Sequence, residues 1–272
     1  MKLPFLRRGP AKDLRQPLRP TMPELASIQV GALYRGARVG GDFYDFIAAG
    51  PCRMLVLLLD IAGKRDQALH IAAGVQEVFR GAADLFAAAD VNESVAVTTL
   101  SLEINRTIMT AANGVRCAPG FLGCYNQTVG TMCYVNAGHT PALLKDSAGV
   151  STLPASGLPL GLFSHATHDA QICALPPHAT LLLVSRGLVE AKAGHEEFGL
   201  ERVKQILAES PTHDAQQLCA LVLESVRLFL EHQARRRLLA NSHHSISEED
   251  PLGANDATAL ALSRVAAAAA GA

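Results

Sequence analysis

Residues 54 to 59 read Met-Leu-Val-Leu-Leu-Leu and run directly into Asp60. An apolar run with no alternation has no side to give to water, so it predicts a strand buried on both faces. Such a strand needs a covering layer above and below. A carboxylate at its end is costly unless it is paired or bound to metal. A second aspartate, Asp42, stands eighteen positions earlier at the end of a neighbouring strand. Glycines before Asp42 and at Gly63 let the backbone come close to whatever the two side chains grip. The local alternative is that Asp42 begins a turn and Asp60 caps the helix that follows.

The rest of the chain supplies the layers. Strands are expected at 27–35, 42–48 and 53–60. A helix follows with Ile71, Val75, Phe79, Ala82 and Phe86 at helical spacing, then a second with Val97, Leu100, Ile104 and Ile108. Beyond Asn113-Gly114, strands return near 120–126, 130–136, 141–145, 169–174 and 179–185, with turn residues between them. Helices near 199–208 and 214–232 and a last strand at 257–262 complete the order. Strands in runs with helices in pairs indicate an α+β layered domain and not a doubly wound parallel sheet. With 272 residues, 49% of them apolar, the chain has ample material for the core.

Residues 1–22 carry six basic side chains against Asp13 and four prolines, which reads as a basic mobile arm. The layered domain is expected over 23–264, followed by an Ala-rich tail, 265–272. A net charge of −1 gives no nucleic-acid footprint. No apolar run approaches the ~20 residues that span a bilayer. Six cysteines are scattered without C-x-x-C spacing and no signal peptide opens the chain, so reduced thiols and a cytoplasmic location are expected.

Five stretches carry a resemblance. They are Val39-Gly40-Gly41-Asp42-Phe43-Tyr44-Asp45-Phe46, Leu59-Asp60-Ile61-Ala62-Gly63-Lys64, Asn136-Ala137-Gly138-His139-Thr140-Pro141, Gly157-Leu158-Pro159-Leu160-Gly161 and Glu197-Phe198-Gly199. In order and approximate spacing the chain resembles the metal-dependent (PPM, type 2C-like) protein phosphatases, in particular the branch of the stage II sporulation phosphatase and the phosphatases of sigma-factor regulation. The resemblance implies a four-layer α-β-β-α sandwich of two antiparallel sheets flanked by helix pairs. It also implies two Mn²⁺ or Mg²⁺ ions whose bridging water attacks a phosphoserine or phosphothreonine. On it, Asp60 matches the aspartate that bridges both ions, Asp42 the acid of the second site, and the Ile61 carbonyl a backbone ligand.

The other half of the cage departs from the family. Relatives carry Thr-Asp-Gly after a buried strand, whereas this chain has Ser185-Arg186-Gly187; they carry Asp-Asp near the C-terminus, whereas it has Asn255-Asp256. Arg186 stays charged at any accessible pH and repels a cation. Asn255 offers only a neutral oxygen. Asp256 is a substitute acid one position on, although strand neighbours point to opposite faces. At most one well-bound ion is therefore expected. If Arg186 points inward, its fork pairs with Asp60 and suits a phosphate without activating water. Ser185 has no nearby base to make it a nucleophile, and His139 reads as part of a tight turn. The expected function is a weak or inactive phosphatase-family domain, a pseudophosphatase, that binds a phosphoprotein or a small regulator of a sigma-factor pathway. The alternative is an active Mn/Mg-dependent phosphatase in a partner-switching or stress pathway.

Overall fold

The computed structural model describes residues 16–36, 41–240 and 256–265, with side chains omitted for 233–240. Residues 1–15, Asn255, the polar stretch through His243 and His244, and 266–272 of the Ala-rich tail lie outside the described residues. Two five-stranded antiparallel sheets face each other. The first takes β1 (Ile28–Arg35), β12 (Ala257–Arg264), β9 (Thr180–Val184), β6 (Ala142–Asp146) and β7 (Gly149–Leu153), in that spatial order. The second takes β2 (Asp42–Ala49), β3 (Arg53–Asp60), β4 (Gly120–Asn126), β5 (Thr131–Ala137) and β8 (Gln171–Ala174). Helices α1 (Arg65–Gly81), α2 (Ala83–Ala87) and α3 (Glu93–Ala112) cover the second sheet; α5 (Leu200–Glu209) and α6 (Ala215–Ala240) cover the first. A single turn, α4 (Arg186–Val189), and a two-stranded ribbon, β10 (Lys192–Ala193) with β11 (Glu196–Glu197), lie between.

The buried run of β3 explains the layering. Leu55, Leu57 and Leu59 enter the core shared with α1 and α3, whereas Met54, Val56 and Leu58 enter the core between the sheets. Both faces are covered, as an unalternating strand requires. β9 repeats the device: Leu181 and Leu183 face the inter-sheet core, and Leu182 and Val184 face α5 and α6. Phe121 and Tyr134 stack at 5.2 Å within the inter-sheet layer.

Several elements differ from the sequence expectation. The helix expected through Phe86 breaks at Ala82 into α1 and α2, next to Gly81, a poor helix residue. β7 was not expected: it is an edge strand with mostly exposed positions and no apolar run. α6 continues through Arg235–Arg237 to Ala240, past the end of its apolar stripe. Asp60 does not cap α1, whose N-cap is Lys64. Residues 16–22, assigned to the arm by sequence, include a segment held on α1, where Leu18 N donates to Gln76 Oε1 at 2.7 Å and Gln76 Nε2 donates to Leu18 O at 3.0 Å.

Candidate functional site

Antiparallel register places Asp42 directly opposite Asp60, so the two acids end neighbouring strands on one face. That face is the inter-sheet one, because Asp60 shares its parity with Met54, Val56 and Leu58. On the other sheet β12 brings Thr258 opposite Tyr34. The two sheets thus close on a cavity of about 250 Å³ lined by Gly41, Asp42, Asp60, Ile61, Ala62, Gly63, Arg186, Gly187, Glu190 and Asp256. Residues separated by more than two hundred positions meet there. Gly41 is required by close approach: a Cβ would lie 2.1 Å from the Ile61 oxygen.

Hydroxyl groups solvate Asp42. Thr258 Oγ1 donates to Asp42 Oδ2 at 2.6 Å, and the buried Ser185 hydroxyl is a second side-chain partner. Ser185 also accepts from Thr258 N at 3.0 Å, so its role is to brace β12 and the acid together. Burial pushes Asp42 up to about 7 against the lowering by these hydroxyls, with Asp60 and Asp256 adding repulsion. Burial also raises Asp60, while Arg186 lowers it and Asp256 and Glu190 raise it.

Asp256 lines the cavity, although its place next to Asn255 in the chain argued against its serving as a substitute acid. Its parity matches Thr258, so it lies on the inter-sheet side. Tyr34 Oη donates to Asp256 Oδ1 at 2.9 Å, and Asp42 N donates to Asp256 Oδ2 at 3.4 Å. Burial and the neighbouring Asp256 raise the Tyr34 phenol above its ordinary range, so it remains a donor. Tyr34 carries no sequence signal; only the β1–β12 register reveals it.

Arg186 is the first residue of α4 and its Nε lies 3.4 Å from Asp60 Oδ2. The expected bidentate fork is absent: no hydrogen bond joins the two side chains, their nearest N···O approach is 3.4 Å, and the Arg186 side chain is 55% exposed. From the start of α4 the half-exposed side chain lines the cavity beside Asp60. Asn255 lies outside the described residues. Among the described residues no cluster of three or more His, Cys, Asp or Glu side chains is spaced to hold a metal ion. His139 lines no part of the cavity; burial lowers it to about 4 and it stays neutral in its turn.

One consequence is a pH dependence. Because the folded state binds the Asp42 proton more tightly than the unfolded chain, stability contributed by that proton is fully present below about 4 and is lost as pH rises to about 7. Denaturant unfolding at pH 5 and pH 8 should show this loss in the metal-free protein. Asp42→Asn should remove that component; an unchanged pH slope in the variant would contradict the assignment.

The sandwich of two antiparallel sheets with flanking helices matches the fold of PP2C-type phosphatase structures. Its fold matches the RsbU and RsbW domains of a Mycobacterium tuberculosis protein (TM-score 0.66, 18% identity, 90% of this chain and 63% of that one). It also matches the PP2C phosphatase domain with a regulatory fragment of the cell fate determinant SpoIIE from Bacillus subtilis (TM-score 0.62, 17% identity, 92% and 64%). RsbX in complex with magnesium matches at a TM-score of 0.59 and 13% identity, over 89% of this chain and 98% of that one. A sequence model of the Stage II sporulation protein E (SpoIIE) family matches residues 50–237, and the chain belongs to that family. Protein IcfG of Synechocystis is 23% identical over 213 residues, which are 69% of this chain and 33% of IcfG. The chain therefore spans about a third of that relative. Among the described residues no helix is long and apolar enough to cross a membrane.

Proposed function

We propose that this SpoIIE-family domain binds a phosphoserine or phosphothreonine of a regulatory protein partner and hydrolyses it weakly or not at all. The observation that carries the reading is the Arg186–Asp60 ion pair at the cavity mouth. A guanidinium stands where, on the family resemblance, a metal-ligating carboxylate belongs, and it cannot shed its charge. The donor set does not fit a two-ion centre: among the described residues no three acids are spaced to hold a metal ion, and a guanidinium stands beside Asp60. It does fit one hard cation, Mn²⁺ or Mg²⁺, on Asp42, Asp60 and the Ile61 carbonyl, with water completing the shell. Such an ion supplies positive charge for a phosphoryl oxygen, but a lone ion lacks the partner that clamps the attacking and leaving oxygens of an in-line displacement.

Charge balance sets the role of the ion. Four acids and one arginine line the cavity, so without a cation a phosphate dianion meets net repulsion. Arg186 then orients the phosphoryl group at the mouth, and Thr258 and Ser185 hold Asp42 in place. A small regulator of a sigma-factor pathway, in the cytoplasm, is the partner class that accords with the family. A second reading, an active Mn/Mg-dependent protein phosphatase, is favoured by the retained pairing of Asp42 with Asp60. Calorimetric titration with Mn²⁺ at pH 8 should show one weak site per chain, lost in Asp60→Asn. Two sites would establish an intact cage and favour the second reading.

A further inference from the structure

Beside the cavity lies a surface that the site does not use. The segment 116–119 clamps the loop that follows Asp60: Asp60 N donates to Pro119 O at 2.9 Å and Ala62 N to Cys117 O at 3.0 Å. On its other side the same segment pairs with the 157–163 loop, Arg116 N donating to Gly161 O at 2.9 Å and Ala118 N to Leu160 O at 2.9 Å. Val115 precedes Arg116 on the one segment and Phe163 follows Gly161 on the other, so these hydrogen bonds tie together two stretches whose apolar side chains are 67% and 50% exposed. Fully buried Asn105 fixes the loop from beneath, accepting from Gly161 N at 2.7 Å and donating to Phe163 O at 2.9 Å. Phe163 therefore presents an exposed apolar side chain from an anchored backbone.

Arg116 joins this platform to the cavity wall. Its guanidinium donates only to neutral acceptors, Ala62 O at 3.3 Å and Gln67 Oε1 at 3.1 Å, and lies over Gly63, where a Cβ would meet Nη1 at 2.6 Å. Its Nε is shielded from solvent and has no hydrogen-bond partner. Among the described residues no carboxylate pairs with Arg116. Arg116 thus stands on Ala62 and Gly63, residues of the cavity lining to which Arg186 also belongs.

We propose that Arg116, Val115 and Phe163 form the partner-docking surface of this domain, taking a segment whose phosphorylated residue is accompanied by a large apolar side chain. The apolar residue covers Val115 and Phe163, and Arg116 takes the anionic edge of the segment beside the cavity. This rests on the phosphoprotein-binding reading above and names the partner segment it selects. An unphosphorylated apolar peptide lacks the anion for Arg116, and a purely anionic ligand leaves Phe163 uncovered.

The test is a degenerate phosphoserine peptide array, with its unphosphorylated counterpart, probed with the full chain in Mg²⁺. The parent should select phosphoserine with Leu, Ile or Phe on one side. Phe163→Asp should abolish the apolar preference and keep the selection for phosphoserine. Arg116→Ala should weaken the best phosphopeptide about tenfold, the effect of one charge-assisted hydrogen bond, with Arg116→Lys restoring part of it. Thermal melts within a few degrees of the parent establish that each variant is folded; Val115→Asp serves if Arg116→Ala is not. Selection of phosphoserine with no apolar preference, or preference unaltered in both Phe163→Asp and Val115→Asp, overturns this docking surface and leaves the proposed function standing. Failure to distinguish phosphoserine from serine overturns both.

Discussion

Arg186→Asp combined with Asn255→Asp should convert the protein into a Mn²⁺-dependent phosphatase. Restoring both acids places carboxylates at every position that the family resemblance assigns to the cage, and removes the cation at the mouth. A second ion supplies several kcal/mol of transition-state charge stabilisation, so phosphomonoester turnover should rise by at least about a hundredfold over the parent. The single Arg186→Asp variant should bind Mn²⁺ more tightly than the parent yet gain less. Initial rates on p-nitrophenyl phosphate and on a phosphoserine protein, with and without Mn²⁺, measure this. A double variant that binds two ions and stays inert on both substrates contradicts the view that Arg186 and Asn255 silenced the site.

The largest expected loss of stability lies away from the cavity. Asp45 belongs to the same motif as Asp42 but has the opposite parity, so it faces α1 and is fully buried. Arg80 Nε donates to Asp45 Oδ2 at 2.7 Å and its Nη2 to Asp45 Oδ1 at 3.1 Å, while Gln76 Nε2 donates to Oδ2 at 2.9 Å. Arg80→Ala leaves a buried carboxylate with only neutral donors and should cost about 3 kcal/mol. It also removes the contact of Arg80 Nη2 with Arg19 O, loosening the segment that lies on α1. Arg186→Ala should cost less than about 1 kcal/mol, because its ion pair is long and half exposed. Urea unfolding of both variants gives the comparison. Equal losses would contradict the distinction drawn between a buried pair and a pair at the cavity mouth.

The sandwich was legible because its central strands announce themselves. Met54 to Leu59 and Leu181 to Val184 have no polar alternation, so each demands cover on both faces, and strand order with paired helices then limits the architecture. Asp60 was legible for the same reason, since an acid ending a doubly buried strand needs a partner, whereas Asp42 was legible through the glycine-led motif that carries the resemblance. Other features depend on register and on exposure, which a local pattern does not encode. Tyr34 reaches Asp256 only because β1 lies beside β12, across more than two hundred residues. The Ser-Arg-Gly stretch showed a departure from the Thr-Asp-Gly that the resemblance implies but not the start of α4, which leaves Arg186 half in water beside Asp60. β7 escaped notice because an exposed edge strand of Gly, Ser and Thr has no apolar face to mark it. The break at Ala82 was hidden since Phe86 keeps helical spacing across it.

Metal-dependent turnover by the unaltered chain decides the central claim. Phosphate release from a phosphoserine protein should be measured in excess Mn²⁺ at pH 8, beside Asp60→Asn and a SpoIIE-family phosphatase of demonstrated activity. The account predicts a rate at least about a hundredfold below the active relative, the effect of losing one ion of a two-ion clamp, with little further decrease in Asp60→Asn. A rate matching the relative, abolished by Asp60→Asn, would contradict it and establish the cavity as a working dimetal centre.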